Sequence, residues 1–157
     1  MQIQQRITPF LSYFDRAEEA ATFYVSALPN SKMVRTVKNP EHGSVLTVEF
    51  ELCGMHFVAL NAGQDWKFTD AFSLAVWCDT QDEIDTLWGN LTADGGSETA
   101  CGWLKDKFGM SWQIVPAPLQ QWLASDNPAA LQRMLESLWT MKKLDIAELQ
   151  QAFDGRD

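Results

Sequence analysis

The sequence predicts an α+β fold built from two βαβββ modules and a C-terminal helical tail. Two repeats along the chain support this prediction. An acidic residue ends a strand-like run and precedes a helix-like run twice, at Asp15 and Asp79, which are 64 residues apart. A glycine precedes a final apolar run twice, at Gly54 and Gly109, which are 55 residues apart. The two offsets indicate a duplication whose second copy is nine residues shorter between its helix and its last strand.

Each module is predicted to contain one strand, one helix and then three more strands. In module 1, residues 5–62, β-branched and aromatic residues predict strands at residues 7–14, 31–37, 44–51 and 58–60. In module 2, residues 70–117, the corresponding strands lie at residues 71–78, 97–100, 103–105 and 113–115. The helix of each module has acidic residues in its first turn, where the helix dipole favours negative charge, and apolar residues at helical spacing.

The pattern after Pro116 is purely helical. Residues 118–155 are predicted to form a tail with a short helix around Leu119 and Trp122, a helix that begins at Asn127, and a last helix capped by Asp145. This tail is too short for a domain of its own, so its apolar face must pack on the modules or on a partner chain. We therefore expect residues 1–157 to form one domain.

Composition excludes several classes of function. The formal net charge of −9 argues against a nucleic-acid partner, because phosphate binding relies on clustered Lys and Arg. No run is long and apolar enough for a membrane helix and no apolar signal core is present, so we expect a cytoplasmic protein without a membrane partner. The three cysteines form no CxxC pair and predict no disulfide framework. Cys53 and Cys78 lie in apolar runs and are expected to be buried, whereas Cys101 is expected to be more exposed.

One stretch carries a family resemblance: residues 101–116 read CGWLKDKFGMSWQIVP. This stretch resembles the signature of a family named after a presumed 3-demethylubiquinone-9 3-methyltransferase, also called PhnB-like. That family is related to the glyoxalase and bleomycin-resistance proteins of the vicinal-oxygen-chelate superfamily. The resemblance extends over nearly the whole chain and implies two modules that curl mixed sheets around a shared cavity, within a homodimer. Methyl transfer is not expected, because the sequence lacks the glycine-rich strand-to-helix turn that binds a nucleotide-containing cofactor.

The resemblance also implies where a metal would bind. Many relatives hold a divalent metal with a His near the start of each module's first strand and a Glu four residues after the glycine that precedes each last strand. Transferred by the repeat, these positions are Thr8 and Phe72 for the histidines, and Val58 and Gln113 for the glutamates. Only Gln113 offers a useful lone pair, and a neutral amide is a weak ligand compared with a carboxylate. We therefore expect no metal and no other cofactor.

The candidate binding site follows from strand alternation, which puts alternate residues of the two last strands on the cavity side or on the helix side. The cavity side comprises His56, Val58, Leu60, Ser111, Gln113 and Val115. The helix side comprises Met55, Phe57, Ala59, Trp112 and Ile114. With neighbours from other strands, the candidate cavity residues are Thr8, His56, Val58, Leu60, Trp103, Ser111 and Gln113.

The polar members of this region keep more than one interpretation. His56 is either a hydrogen-bonded residue at a strand start, or a ligand contact or general base. Asn61 either shapes a turn or bonds a ligand. Lys105 and Asp106 are expected to form a solvated pair on a hairpin.

The tryptophans divide into two groups. Trp77, Trp88 and Trp112 lie where the module core is expected. Trp66 and Trp103 lie in loop or short-strand contexts, where each could either stack on a ligand or pack against the protein.

Three functions are compatible with these residues. The leading hypothesis is metal-independent binding of a small, largely apolar or aromatic molecule between the sheets. The alternative is a glyoxalase-type metal-dependent lyase or dioxygenase whose ligands lie elsewhere in the chain. The third is an interaction module in which the tail mediates dimerisation, since this fold hosts many functions.

Overall fold

The computed structural model describes residues 4–156, and the chain divides into two compact units. The first unit ends at Lys67 and the second begins at Phe68. The first therefore contains module 1, and the second contains module 2 together with the tail. None of the helices in residues 4–156 is long and apolar enough to span a membrane.

Unit 1 has the predicted order of one strand, one helix and three strands. Its elements are β1 (Phe10–Tyr13), α1 (Ala17–Ala27), β2 (Lys32–Lys38), β3 (Val45–Leu52) and β4 (Met55–Asn61). The sheet order is β1-β4-β3-β2, with β1 parallel to β4 and the other pairs antiparallel. One face of this sheet packs on α1, because alternate residues of its strands are apolar and buried. The buried residues on that face include Leu11, Val48, Phe50, Leu52, Phe57 and Ala59.

Unit 2 repeats this arrangement in its first part. Its elements are β5 (Ser73–Cys78), α2 (Gln81–Thr92), β6 (Ser97–Glu98), β7 (Trp103–Lys105) and β8 (Ser111–Pro116), with a 3-10 turn at Ala93–Gly95. The sheet order is β5-β8-β7-β6, and β5 is parallel to β8. The two four-stranded mixed sheets confirm the predicted duplication of a βαβββ unit.

The two modules differ by one residue in the turn from the first strand to the helix. The helices start 64 residues apart, as the sequence predicts. The strands, however, are 65 residues apart, because the hydrogen bond from Ala62 N–H to Tyr13 O has its counterpart between Ala117 N–H and Cys78 O. This shift moves every position that is transferred from β1 to β5.

Two hairpins turn on a Cys-Gly pair. Cys53 and Gly54 have φ angles of 50° and 82°, and Cys101 and Gly102 have φ angles of 58° and 85°. Two successive positive φ angles are typical of the two-residue turns whose twist matches that of paired strands. Cys53 is therefore exposed in a turn, and the prediction that it is buried was wrong. Cys78, on the helix side of β5, is buried as predicted.

The loop between β7 and β8 is built around a buried carboxylate. Asp106 Oδ1 accepts the backbone N–H groups of Phe108 and Met110 at 2.8 and 3.1 Å, and Oδ2 accepts the indole N–H of Trp112 at 2.9 Å. Only 2% of Asp106 is exposed. The predicted solvated pair of Lys105 and Asp106 was therefore wrong, because protein donors rather than water satisfy this carboxylate. The family-like stretch thus encodes a hairpin with an internally bonded loop.

The tail packs on unit 2. It consists of α3 (Leu119–Leu123), α4 (Pro128–Leu138) and α5 (Ile146–Asp154). The predicted caps are confirmed, since Asn127 accepts the N–H of Ala130 and Asp145 accepts the N–H of Glu148. The apolar residues of the tail join the end of β8 in one buried cluster, which comprises Val115, Leu119, Trp122, Met134, Leu138, Leu144 and Leu149.

Hydrogen bonds fix the segment between α4 and α5. The N–H groups of Cys101 and Gly102 donate to Met141 O and Lys142 O, both at 2.8 Å. Unit 1 has an eight-residue β3 where unit 2 has only a three-residue β7. The tail therefore supplies the backbone partners that the shorter module 2 lacks.

Candidate functional site

The side of sheet 1 opposite α1 carries the predicted residues of module 1. The register pairs Phe10 with Val58 and Ser12 with Leu60, and alternation places His56 on the same side. Phe10 is 56% exposed, whereas Val58 is buried and Leu60 is half-buried. The predicted alternation is confirmed by the burial of Phe57 and Ala59 on the helix side. Met55 is wrong, because it lies at the hairpin turn and is exposed.

His56 belongs to a row of charged groups on this side of sheet 1. Its Nε2 lies 3.6 Å from Glu49 Oε1, and the other carboxylate oxygen of Glu49 accepts a hydrogen bond from Arg35 Nε. The Arg35 guanidinium holds the pKa of the Glu49 carboxyl below its usual value, mainly through that hydrogen bond. The backbone of His56 is also fixed, because the Gln5 amide accepts its N–H at 2.9 Å and donates to its carbonyl at 2.8 Å.

Sequence reasoning missed Arg35 and Glu49. A signal for them exists in the hairpin turn at Cys53 and Gly54, which fixes the pairing of the strands on either side. Counting outward from that turn puts Glu49 opposite Val58. The same counting puts Arg35 of β2 opposite Glu49. Recognition of the two-residue turn would therefore have predicted the whole row.

The corresponding side of sheet 2 carries two polar contacts. Gln113 Nε2 donates to Ser73 Oγ at 2.9 Å. Ser111 Oγ donates to Asp70 Oδ1 at 3.2 Å, and Lys105 Nζ lies 3.0 Å from the same oxygen. The hydrogen bond from Lys105 is the main reason that the pKa of Asp70 is lowered. Sequence reasoning identified Ser111 and Gln113 and missed their partners.

Aromatic residues lie beside these polar groups. Trp103 is half-buried and is paired in register with Gln113, so the structure brings these two predicted residues together. Trp77 is 46% exposed, so its predicted place in the core was wrong. The reason is that Trp77 pairs with Val115, on the side opposite α2. Val115 was predicted to face a cavity, but it is buried among the tail helices.

The positions implied for a metal hold no matching set of ligands. Because the strands are offset by 65 residues, the counterpart of Thr8 is Ser73, and the transfer to Phe72 was wrong. Thr8 is half-buried just before β1, Val58 is apolar, and Gln113 uses its amide on Ser73. Within residues 4–156, no three His, Cys, Asp or Glu side chains are grouped so that they could hold a metal ion. The residues present therefore do not fit the superfamily's metal, and the absence of a metal stays a prediction.

Asn61 has a structural role. Its Oδ1 accepts the N–H of Ala17 at 2.8 Å, which caps α1, and its Nδ2 donates to Val45 O at 3.0 Å. The residue that precedes α1, Arg16, makes no side-chain cap of its own. Of the two interpretations of Asn61, the structure therefore favours the one in which it shapes the chain.

Comparison with known proteins identifies relatives of this fold. The 3-demethylubiquinone-9 3-methyltransferase family matches residues 5–115. The PhnB protein from Bacillus cereus is 35% identical, with a TM-score of 0.66 over 72% of this chain and 100% of that chain. PA1353 from Pseudomonas aeruginosa is 16% identical, with a TM-score of 0.58 over 72% and 98% of the two chains. The fosfomycin resistance protein FosX from Listeria monocytogenes is 12% identical, with a TM-score of 0.53 over 76% and 98%. Comparison with curated proteins finds no match.

The last two likenesses show the fold alone, and they place the paired βαβββ modules in the vicinal-oxygen-chelate class that includes glyoxalase-like and antibiotic-resistance proteins. Within that class, the family match and the Bacillus cereus relative are more specific. The chain belongs to the 3-demethylubiquinone-9 3-methyltransferase family, also called PhnB-like.

Proposed function

We propose that this protein binds a small, largely apolar or aromatic molecule without a metal ion, on the sheet faces opposite the helices. The observation that carries the proposal is the pair Ser73 and Gln113. These residues occupy two positions where the superfamily's ligands would lie, and they hydrogen-bond each other at 2.9 Å. In unit 1 the matching pair is Thr8 and Val58, which offers no imidazole or carboxylate. The proposal therefore holds whichever modules meet to complete a site. That the modules share a cavity stays a prediction.

The chemistry of these faces supports an apolar ligand. Phe10 and Trp77 are about half-exposed, although large apolar side chains are usually buried. Trp103 lies next to Gln113 in register, so an aromatic surface adjoins an amide. Binding sites for small molecules are typically apolar with a few polar groups that fix orientation.

A metal-dependent lyase or dioxygenase is the second candidate, and one observation favours it. The His56 imidazole and the Glu49 carboxylate are the ligand types that zinc and iron prefer, and they are 3.6 Å apart. Two donors make an incomplete set, and the Arg35 guanidinium already occupies one Glu49 oxygen. We therefore rank this candidate second.

Methyl transfer, which the family's name states, is not part of the proposal. The strand-to-helix turns of both modules contain no glycine, and each carries an acidic residue, Asp15 or Asp79. Nucleotide-containing cofactors are bound by glycine-rich turns in which backbone N–H groups approach the ligand closely. These turns offer no such approach.

We further propose a homodimer in the cytoplasm, with no nucleic-acid or membrane partner. The three cysteines in the described residues are free thiols, which is typical of a reducing compartment. Sedimentation velocity of the untagged protein tests the dimer, and a monomer at micromolar concentration would contradict it.

A fluorescence titration tests the binding proposal. The probe is 1-anilinonaphthalene-8-sulfonate, and the variants are Trp103→Ala and Trp77→Ala. Each should weaken probe binding by about two- to tenfold, the value of one lost aromatic contact. The matched control is Trp139→Ala, since Trp139 is an exposed tryptophan of the tail. Equal effects of the control and the two test variants would contradict the proposal.

A further inference from the structure

Unit 1 contains a cleft that the proposed function does not use. Its volume is about 480 Å³, which is within the usual range for small-molecule sites. It lies where β1 and β4 end and β3 begins. Its lining residues are Phe14, Asp15, Glu18, Asn39, Ser44, Val45, Leu46, Asn61, Ala62 and Gly63.

The walls of the cleft are held by internal hydrogen bonds. Asn61 joins the start of α1 to Val45, as described above. The N–H groups of Ala62 and Gly63 donate to Tyr13 O and Phe14 O at 2.8 and 3.1 Å. The cleft is therefore formed in advance of any ligand, and binding there would need little ordering of the chain.

The cleft combines an exposed aromatic ring with two carboxylates. Phe14 is 59% exposed. Among the described residues, no side chain or backbone group donates a hydrogen bond to the carboxylate of Asp15 or of Glu18. The nearby Arg16 is engaged with Glu19, at 2.8 Å. The surface of the cleft therefore offers negative charge beside apolar carbon.

Unit 2 shows what the corresponding place accepts. There the start of α2, the end of β8 and the start of β7 hold a segment of the chain's own tail. Leu144 is buried in this segment, and its carbonyl accepts a hydrogen bond from Gln81 Nε2 at 3.0 Å. The ammonium group of the adjacent Lys143 lies 2.8 Å from Asp85 Oδ1 on α2. An apolar group with an ammonium group beside it thus fills this place in unit 2.

The repeat counterparts of those three elements are the start of α1, the end of β4 and the start of β3, which line the open cleft of unit 1. We propose that this cleft binds a small organic cation, in which an ammonium group on an apolar body contacts Asp15 and Glu18 while the apolar body packs on Phe14. The occupied place in unit 2 supplies the chemical class, and the unpaired carboxylates of unit 1 supply the charge.

The test uses two probes of similar size and opposite charge, 2-phenylethylamine and phenylacetate. Each is titrated into the ¹⁵N-labelled full chain, and amide shifts are followed by NMR. We expect the amine to shift the amides of residues 14–18 and 44–46, and phenylacetate to leave them in place. The Glu18→Gln variant should weaken amine binding by about two- to fivefold, the value of one exposed ion pair, and the Asp15→Asn/Glu18→Gln double variant by about tenfold.

The matched control is Asp82→Asn, because Asp82 is the repeat counterpart of Glu18 on α2 and lies outside the cleft. Amine binding by this variant should equal that of the unaltered protein. The proposal is overturned if the amine causes no shifts at 10 mM or causes them outside the cleft, with ~10 mM being the weakest binding worth the name of a site. It is also overturned if phenylacetate binds equally well, or if Glu18→Gln has no larger effect than Asp82→Asn.

Discussion

Replacement of Asp106 is the sharpest test of how unit 2 is held together. The Asp106 carboxylate accepts N–H groups from Phe108, Met110 and Trp112, and it is almost fully buried. Asp106→Ala removes all three bonds, and it leaves the buried indole N–H of Trp112 without this acceptor. Asp106→Asn keeps the shape of the side chain but places an amide NH₂ against one of the N–H donors.

The structure sets the size of the effect. Hydrogen bonds to a charged group contribute about 1.5–3 kcal/mol each, but the two backbone donors lie in a loop that water can reach after a small opening. We therefore expect Asp106→Ala to lower the free energy of unfolding by about 4 kcal/mol, as for other buried charges that lose their partners. Asp106→Asn should cost about 2 kcal/mol, because one donor faces another. For a chain of this size these values correspond to losses in Tm of roughly 12 °C and 6 °C.

Urea denaturation followed by tryptophan fluorescence measures both variants. Asp82→Asn is the control, because Asp82 is exposed on α2, and its replacement should change stability by less than about 0.5 kcal/mol. If Asp106→Ala and Asp106→Asn were as stable as this control, the carboxylate would not hold the loop and the reasoning would be refuted.

Three further predictions concern other joints of the fold. Gln81→Ala should release the tail segment and increase its rate of tryptic cleavage at the adjacent lysines about fivefold, because two hydrogen bonds of about 1 kcal/mol each are lost; an unchanged rate relative to the exposed Gln132→Ala would contradict this. Asn61→Ala should destabilise unit 1 by about 1–2 kcal/mol through loss of the α1 cap, measured as a lower urea midpoint, and an unchanged midpoint would count against it. Arg35→Ala should raise the pKa of the Glu49 carboxyl in a ¹³C NMR titration, because the guanidinium that lowers it is gone. Since that pKa is lowered in the folded protein, the Arg35–Glu49 pair stabilises the fold above the unfolded-state value of about 4.3, and the stabilisation is lost as the pH falls through the folded-state pKa.

The repeated fold was predictable because its signals are local. Strand alternation, helical spacing and the caps at Asn127 and Asp145 each involve neighbours in the chain, and the structure confirms all of them. The offset between β1 and β5 was wrong by one residue, since the turn before each helix has its own length and leaves no mark in the apolar pattern. That single residue decides whether Phe72 or Ser73 is the counterpart of Thr8.

The remaining errors depend on contacts between distant residues. Asp106 is polar and lies on a hairpin, and only its three donors make its burial favourable. Trp77 has the same spacing as a core residue, but its side of the sheet was ambiguous until the register with Val115 was known. Val115 in turn is buried because the tail folds back on the end of β8, which no periodic pattern indicates.

The candidate site was partly predictable for the same reason. His56, Ser111 and Gln113 were found because they alternate along strands whose ends are marked by glycines. Their partners Glu49 and Ser73 lie on neighbouring strands, so they become visible only through sheet register.

Metal content measured by inductively coupled plasma mass spectrometry tests the central claim most directly. The protein is purified without a histidine tag and is measured before and after dialysis against a chelator. Because Val58 and the hydrogen-bonded Gln113 stand where carboxylate ligands would be needed, we predict less than about a tenth of an equivalent of any transition metal. About one equivalent of tightly held metal would contradict metal-independent binding and would direct attention to His56 and Glu49 as ligands.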